Sequence, residues 1–342
     1  MKSKVDLTRE DIVELLEKSV SPCDFSGMNL SGLNLNRLNF AGVKFCNSNL
    51  NGTRFNESNL NYADFRGADM RNIYLVNVLA LNTANLSGVN FSNMNFNDYD
   101  FSNAQLAGAQ FVNCTLMYSN FQNANLTGAN LSNAMMQKSK LSGTNLENAN
   151  MKNADLRESE LRRTVFLNAN LCGVNLSGSE LSSVDFRHAD MLKINMSRSN
   201  CKNLILNFAN LDGALFCGSV LHEIDFSDTT LRFTDFTGCD VDETKMERAV
   251  LTNARFCGAS IKKIILEDLN VSNANFYAAD MVDARLGGAD LSGVDFRNAD
   301  LSAARIYKSK ITQSNFEGAN LNKTDFEGSN IDEAIGLPNY LR

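Results

Sequence analysis

Residues 124–133 read ANLTGANLSN, a five-residue phrase said twice. The apolar residue of each phrase, Leu126 and then Leu131, is followed at the same interval by Met136, Leu141 and Leu146. Working outward toward the C-terminus, every fifth position remains apolar as far as Ile331, with Cys201 the least bulky. Toward the N-terminus the series runs back through Phe121, Phe111, Leu106 and Phe91 to Leu81. An earlier run from Phe25 to Leu75 keeps the same interval one residue out of register, so one extra residue falls within Val76–Ala80. The expected consequence of that slip is a local bulge that shifts one corner.

A second position keeps the same time. Two residues before each centre stands a small or β-branched residue, such as Ala84, Val89, Ala104, Cys114, Ser119 or Ala129. The residue just before the centre is usually Asn or Asp, and Gly or Asn often lies two after it. A period of five fits neither the 3.6 of an α-helix nor the 2 of a strand. It fits a coil that turns a corner every five residues, with the centre and the small residue pointing inward. Frequent Asn and Gly suit such corners. Four sides make a coil of twenty residues, and stacked coils pair as parallel strands about 4.7–4.9 Å apart. On that spacing the periodic region predicts roughly fifteen coils and a rod on the order of 75 Å long. Some sixty buried centres, at about 1.5–3 kcal/mol each, oppose a chain entropy of similar size. Bulky residues at the small position (Met28, Leu33, Leu38, Ile73, Met94, Tyr99, Ile194, Leu204, Ile224, Ile264 and Leu269) are expected to widen or bend the coil locally.

The phrases ANLTG (124–128), ANLSN (129–133), ADLRE (154–158), ADLSG (289–293), ADLSA (299–303) and ANLNK (319–323) resemble the pentapeptide-repeat family, whose signature is A-(D/N)-L-X-X. The resemblance covers nearly everything from 21 to 335. It implies an all-β solenoid, a right-handed quadrilateral parallel β-helix, and a non-enzymatic binding scaffold.

The two ends read differently. An open solenoid end needs a cap. Thr8 followed by Glu10 and Asp11 looks like a helix start, and Ile12, Leu15 and Leu16 supply one apolar face. The expectation is a short capping helix over residues 8–18, lying on the first coil. The domain reading is therefore an N-terminal cap over 1–20, the repeat over 21–335 and a C-terminal tail over 336–342. Ile331, Ala334, Ile335, Leu337 and Leu341 are expected to cover the last coil. The only two prolines, Pro22 and Pro338, bracket the repeat, where neither removes a ladder donor.

Composition narrows the function classes. The net charge of −7 disfavours direct binding to nucleic acid or to an anionic membrane surface. The N-terminus carries no apolar run of the kind a secretory signal needs, and no apolar stretch is long enough to span a bilayer. Eight cysteines without a CxxC pair and only two histidines argue against metal binding and for reduced thiols in a cytoplasmic setting. His188 and His222 fall nearly two coils apart on different sides. No Walker or dinucleotide motif is present. The chain is expected to be no enzyme and to need no cofactor.

Function is then sought on the outward positions, where clustered apolar residues are informative. Residues twenty apart stack on one side. The first candidate patch is Val165, Leu167, His188, Ile205 and Phe208, rimmed by charge. A second is Met117, Tyr118 and Met135. A third, acidic candidate is Asp240, Asp242 and Glu243, continued by Asp280, Asp283 and Asp300 but interrupted by Lys262 and Lys263. The expected partner is a protein, met by a monomer or an end-to-end dimer. Two alternatives follow from the family resemblance. One is imitation of duplex DNA toward a DNA-binding enzyme such as gyrase. The other is export of the chain as a bacterial effector.

Overall fold

A computed structural model describes residues 7–78, 81–241 and 244–341, the side chains of Asn82, His222 and Tyr340 excepted. The chain forms two compact units, Met1–Asp155 and Leu156–Arg342. Each is a stack of right-handed square coils. Successive coils pair in parallel at twenty-residue intervals, as in Gln105↔Asn125↔Asn145 in the first unit and Asp280↔Asp300↔Asn320 in the second. Most pairings are single bridges. Among the described residues only β1 (Asn200–Lys202) and β2 (Val220–His222) extend to three residues.

The repeat signature follows from what happens to its five N–H groups. In Ala124–Gly128 of the first unit, the Ala124 N–H closes a turn on Phe121 O (2.9 Å). Asn125 N–H reaches back a coil to Ala104 O (3.0 Å). Leu126 and Gly128 donate forward to Asn145 O and Glu147 O (both 2.8 Å). That leaves Thr127 N–H, which the Asn125 side chain accepts at 3.1 Å. In the second unit Ala289–Gly293 repeats the scheme, with Ser292 N–H on Asp290 Oδ1 at 3.1 Å. The Asn or Asp before each centre thus completes the backbone hydrogen bonding that an edge-free coil requires. Gly or Asn recurs at the fifth position because φ is positive there, for example +66° at Gly128 and +57° at Asn123. That is the region a turn's third residue takes at little cost when it is Gly or Asn.

The centres and the small residues line the interior. Leu126, Leu131 and Leu291 are wholly buried, as are Ala129 and Ala289 beside them. In the second unit Phe216, Phe236, Phe256, Phe276, Phe296 and Phe316 stack face to face with centroids 4.7–5.4 Å apart. The coil rise sets that spacing. In the first unit Phe91, Phe96, Phe101, Phe111 and Phe121 meet largely edge to face. Where the small residue is Ser, Thr or Cys, its side chain donates to the carbonyl of a centre, in the same coil for Ser48, Ser119 and Thr229 and in the previous coil for others. Ser179, Ser199 and Ser219 do so toward Leu156, Leu176 and Met196, and Cys114 and Cys239 toward Phe91 and Phe216. Burial pushes the Cys114 thiol up to about 11 and that of Cys239 to about 12. Cys201, in a centre position, is raised as well. These thiols stay protonated and pack as small apolar groups.

The register slip is visible as a pairing interval of twenty-one residues, Asp64↔Asn85 and Asp69↔Asn90. A 3-10 turn, Leu81–Thr83, follows it. Residues 79 and 80 of the slip lie outside the described residues.

Helix α1 spans Arg9–Lys18, opened by a capping box between Thr8 and Asp11. The Thr8 backbone N–H donates to the Asp11 carboxylate at 2.8 Å, and that bond holds the Asp11 carboxyl below its ordinary value. Arg9 donates to the carbonyls of Asn34 and Asn36. In the next two coils the corresponding oxygens, of Arg54 and Asn56 and then of Tyr74 and Val76, accept from the coil before, so Arg9 covers part of the first coil's open edge. The packed face differs from the expected one. Ile12 is buried and Leu16 half-buried, but Leu15 is 45% exposed. The Arg9 contacts turn α1 so that Val13 rather than Leu15 lies beside Leu16, where both line a shallow hollow with Leu38. At the other end Ala334 and Leu337 are buried, and Ile331 and Leu341 half-buried. Ile335 departs from expectation at 47% exposed. It continues the five-residue clock as a ladder residue paired with Asn315, its side chain outward.

Candidate interaction faces

In the second unit Val165, Asp185, Ile205 and Asp225 form one column of paired residues. Val165 and Leu167 are half-buried, while Ile205 is 41% and Phe208 60% exposed. His188 and Phe208 occupy the positive-φ turn position of successive coils, at +57° and +62°. Their rings lie 5.1 Å apart and nearly parallel, at 7°. The structure therefore brings His188, Ile205 and Phe208 together. It separates them from Val165 by Asp185, whose carboxylate is clasped by Arg187 at 2.7–3.2 Å. Partial burial pulls the Asp185 carboxyl upward, but the Arg187 hydrogen bonds outweigh it and leave the group below its ordinary value.

In the first unit Met117 and Tyr118 lie on one coil and Met135 on the next, where Met135 pairs with Thr115 and Asp155. Met135 and Tyr118 are exposed and Met117 half-buried. The ammonium of Lys138 sits 5.8 Å from the centre of the Tyr118 ring. The acidic candidate is less continuous. Asp242 and Glu243 lie outside the described residues. Asp240 follows Val220 in a column that continues Ser260, Asp280, Asp300, Asn320. Lys262 bridges to Asp280 at 3.0 Å, and Asp300 accepts from Ser302 and from Asn320 at 3.0 Å. The Ser302 bonds hold the Asp300 carboxyl below its ordinary value. Ser260 parts Asp240 from Asp280, while Asp280 and Asp300 occupy adjacent rungs and are each bonded to a neighbouring side chain.

Two further large side chains outside the candidate patches are exposed, Phe233 (63%) and Tyr62 (75%), each at φ +58°. Both stand where the repeat wants Gly or Asn, so the same signal that singles out Phe208 applies to them. A surface groove of about 500 Å³ is lined by Arg157, Ser177, Gly178, Asn195, Ser197 and Arg198. No spacing rule marks it, because it opens where Gly178 leaves a gap between the longer side chains Glu158 and Arg198. Among the described residues no group of three His, Cys, Asp or Glu side chains is placed to hold a metal ion. No helix among them is long and apolar enough to cross a membrane.

The pentapeptide-repeat family model matches eight stretches, residues 39–75, 139–178, 149–187, 179–216, 194–232, 234–268, 270–306 and 299–335. The chain belongs to the pentapeptide-repeat family. A related pentapeptide repeat region model matches residues 78–151. No curated protein matches significantly. Among solved structures, the chain is similar to QnrB1, a plasmid-mediated fluoroquinolone resistance protein (18% identity, 60% of this chain and 92% of that one, TM-score 0.36). It is also similar to HetL, a pentapeptide repeat protein involved in heterocyst differentiation regulation from the cyanobacterium Nostoc sp. strain PCC 7120 (20%, 87% and 96%, TM-score 0.17). A third is a pentapeptide repeat protein of the Arabidopsis thaliana thylakoid lumen (28%, 35% and 70%, TM-score 0.19). None of these likenesses bears on the choice of partner.

Proposed function

We propose that this pentapeptide-repeat protein is a non-enzymatic scaffold that binds another protein through an outer face of its coils. The observation that carries the reading is the exposed His188–Phe208 pair with Ile205 beside it. Large apolar side chains grouped on an otherwise polar surface mark interaction sites. The core makes no demand on these positions, so their departure from the repeat needs a reason outside the fold. The Met117–Tyr118–Met135 group is a second, smaller face of the same kind. The free thiols support a reducing compartment such as a cytoplasm. Imitation of duplex DNA is disfavoured, since Lys262 sits on Asp280 inside the acidic column. A pull-down tests the reading. Full-length protein, Phe208→Asp and Asp240→Ala would be compared as baits. A protein retained by wild type and by Asp240→Ala but lost by Phe208→Asp supports it. Indistinguishable captures by all three baits overturn it.

A further inference from the structure

The pentapeptide Leu204-Ile205-Leu206-Asn207-Phe208 breaks the repeat at three of its five positions. Leu204 replaces the small residue and is buried all the same. Ile205 replaces the Asn or Asp, so among the described residues the Asn207 N–H finds no side-chain acceptor of the kind Thr127 and Ser292 have. Phe208 replaces Gly or Asn at φ +62°, where a bulky residue is disfavoured. The last two changes work against the fold locally and together put an aliphatic and an aromatic side chain into solvent.

The charge beside this ledge has a sign. Asp185, one coil before, is taken up by Arg187, and Asp228, twenty residues on from Phe208, by Arg248 at 2.6 and 2.7 Å. Asp225, paired in the ladder with Ile205, accepts the Ser227 N–H at 2.9 Å and has no cation within ion-pair distance among the described residues. Lys245 stands on the following rung without closing on it. Between these rungs runs a groove of about 280 Å³ lined by Glu223, Ile224, Asp225 and Lys245. Its two carboxylates face the Lys245 ammonium, with Arg248, held by Asp228, also within electrostatic reach of Asp225. Ile224 beneath them is buried, so the exposed aliphatic surface at this rung is Ile205.

We propose that the partner of this face presents an apolar side chain next to an arginine. The apolar side chain would lie on the His188–Phe208 ledge and against Ile205. The arginine would run its stem along the exposed Ile205 and bring its guanidinium to Glu223 and Asp225 on the next rung. A guanidinium suits the place because it is planar, weakly hydrated and able to engage carboxylates while lying on an aromatic edge. An anionic partner would meet Glu223, Asp225 and Asp228 with like charge. This inference rests on the scaffold reading above.

The test uses the full chain and four blocked synthetic peptides, six residues long. The first carries a central Leu-Arg-Leu; in the others Arg is replaced by Lys or by Glu, or both Leu by Ala. Binding is read by isothermal titration up to millimolar peptide at low and at 0.5 M salt. The expected order is Arg, then Lys, with the Glu and Ala peptides at least tenfold weaker. Raising the salt should weaken the Arg peptide several-fold. The double variant Glu223→Gln/Asp225→Asn should remove the preference for Arg over Glu. Phe208→Asn should lose tenfold while melting no lower than wild type, since Asn is at home in that turn. Equal binding of the Arg and Glu peptides, no binding of any peptide, or full binding by Phe208→Asn would overturn the proposal. If Phe208→Asp still loses a captured protein in the pull-down, only the arginine-bearing chemistry has failed. If it does not, the scaffold reading has failed with it.

Discussion

The six-phenylalanine column of the second unit allows a prediction with a worked magnitude. Phe256 is fully buried between Phe236 and Phe276, at centroid distances of 4.7 and 5.0 Å. In Phe256→Ala the ring leaves a cavity that square coils, tied rung to rung by backbone hydrogen bonds, have little freedom to close. Large-to-small changes at such sites cost about 3–5 kcal/mol, part of it the two stacking contacts at about 0.5–1.5 kcal/mol each. Phe256→Leu puts in the residue most common at this position of the repeat and should cost less than about 1.5 kcal/mol. Urea unfolding followed by circular dichroism measures both. A double-mutant cycle sharpens the test. Phe236→Ala with Phe256→Ala joins two neighbouring cavities and should show a coupling of about 0.5–3 kcal/mol. Phe216→Ala with Phe316→Ala, five coils apart, should be additive within about 0.5 kcal/mol. A loss below about 1 kcal/mol for Phe256→Ala, or equal coupling in the two pairs, would show that the column is not the packed core described.

Three further outcomes are expected. Phe208→Asn should raise unfolding stability by about 0.5–1 kcal/mol by relieving a bulky residue at positive φ, measurable in the same urea titration; a loss of more than about 0.5 kcal/mol contradicts the strain argument. Arg9→Ala should release α1 from the Asn34 and Asn36 carbonyls, seen as faster amide exchange in residues 9–18 with the coils beyond unchanged; unaltered exchange would mean that Ile12 alone holds the helix. Acid should weaken the fold through Asp64, Asp69 and Asp295. Hydrogen bonds from Arg66, Arg71 and Arg297, their largest influence, hold the folded carboxyls below the ordinary aspartate value of 3.8. A depressed folded value means that their contribution is present above about pH 3.8 and fades as pH falls below it toward the folded values. Replacing all three by Asn keeps the turn acceptor and removes the charge, so the urea midpoint should fall less steeply between pH 4 and pH 2 than in wild type; parallel profiles would assign the acid sensitivity elsewhere.

The core was legible because it obeys a clock. A position that must be Leu or Phe every fifth residue declares itself, and so does the small residue two before it. The positive-φ turn was legible through Gly and Asn. The reason for Asn or Asp before the centre was not, because it lies in one leftover N–H that only the complete pattern of inter-coil bonds exposes. The ends were read less well for the same reason. Leu15 belongs to the apolar stripe of α1, yet the rotation of that helix is set by what Arg9 grasps on a coil twenty-five residues away. The apolar character of Ile335 suggests a cap, but counting on by five places it in an outward ladder position, paired with Asn315. His188, Ile205 and Phe208 were read as neighbours from the twenty-residue interval. The Asp185–Arg187 clasp that parts them from Val165, and the groove beside Asp225, depend on side-chain directions that spacing does not contain.

The accounting of N–H groups also limits where such a protein can carry recognition. Of five positions, two are inside and one supplies the turn acceptor. The residue after the centre and the positive-φ residue remain. The first is free to vary, but the second favours Gly, Asn or Asp, which offer little surface to a partner. A large binding side chain must therefore either crowd the one free position or displace a residue that the coil uses. Leu167, Arg187 and Asn207 show the free position varying without regularity. Ile205 and Phe208 show the other course, adopted twice within four residues. That concentration is why this pentapeptide, rather than the more exposed Tyr62 or the isolated Phe233, is where a partner is to be sought. Exposure alone ranks Tyr62 first at 75%. Yet Tyr62 keeps Asp64 and Ala63 beside it in the regular pattern, so only one feature of its coil has been given up.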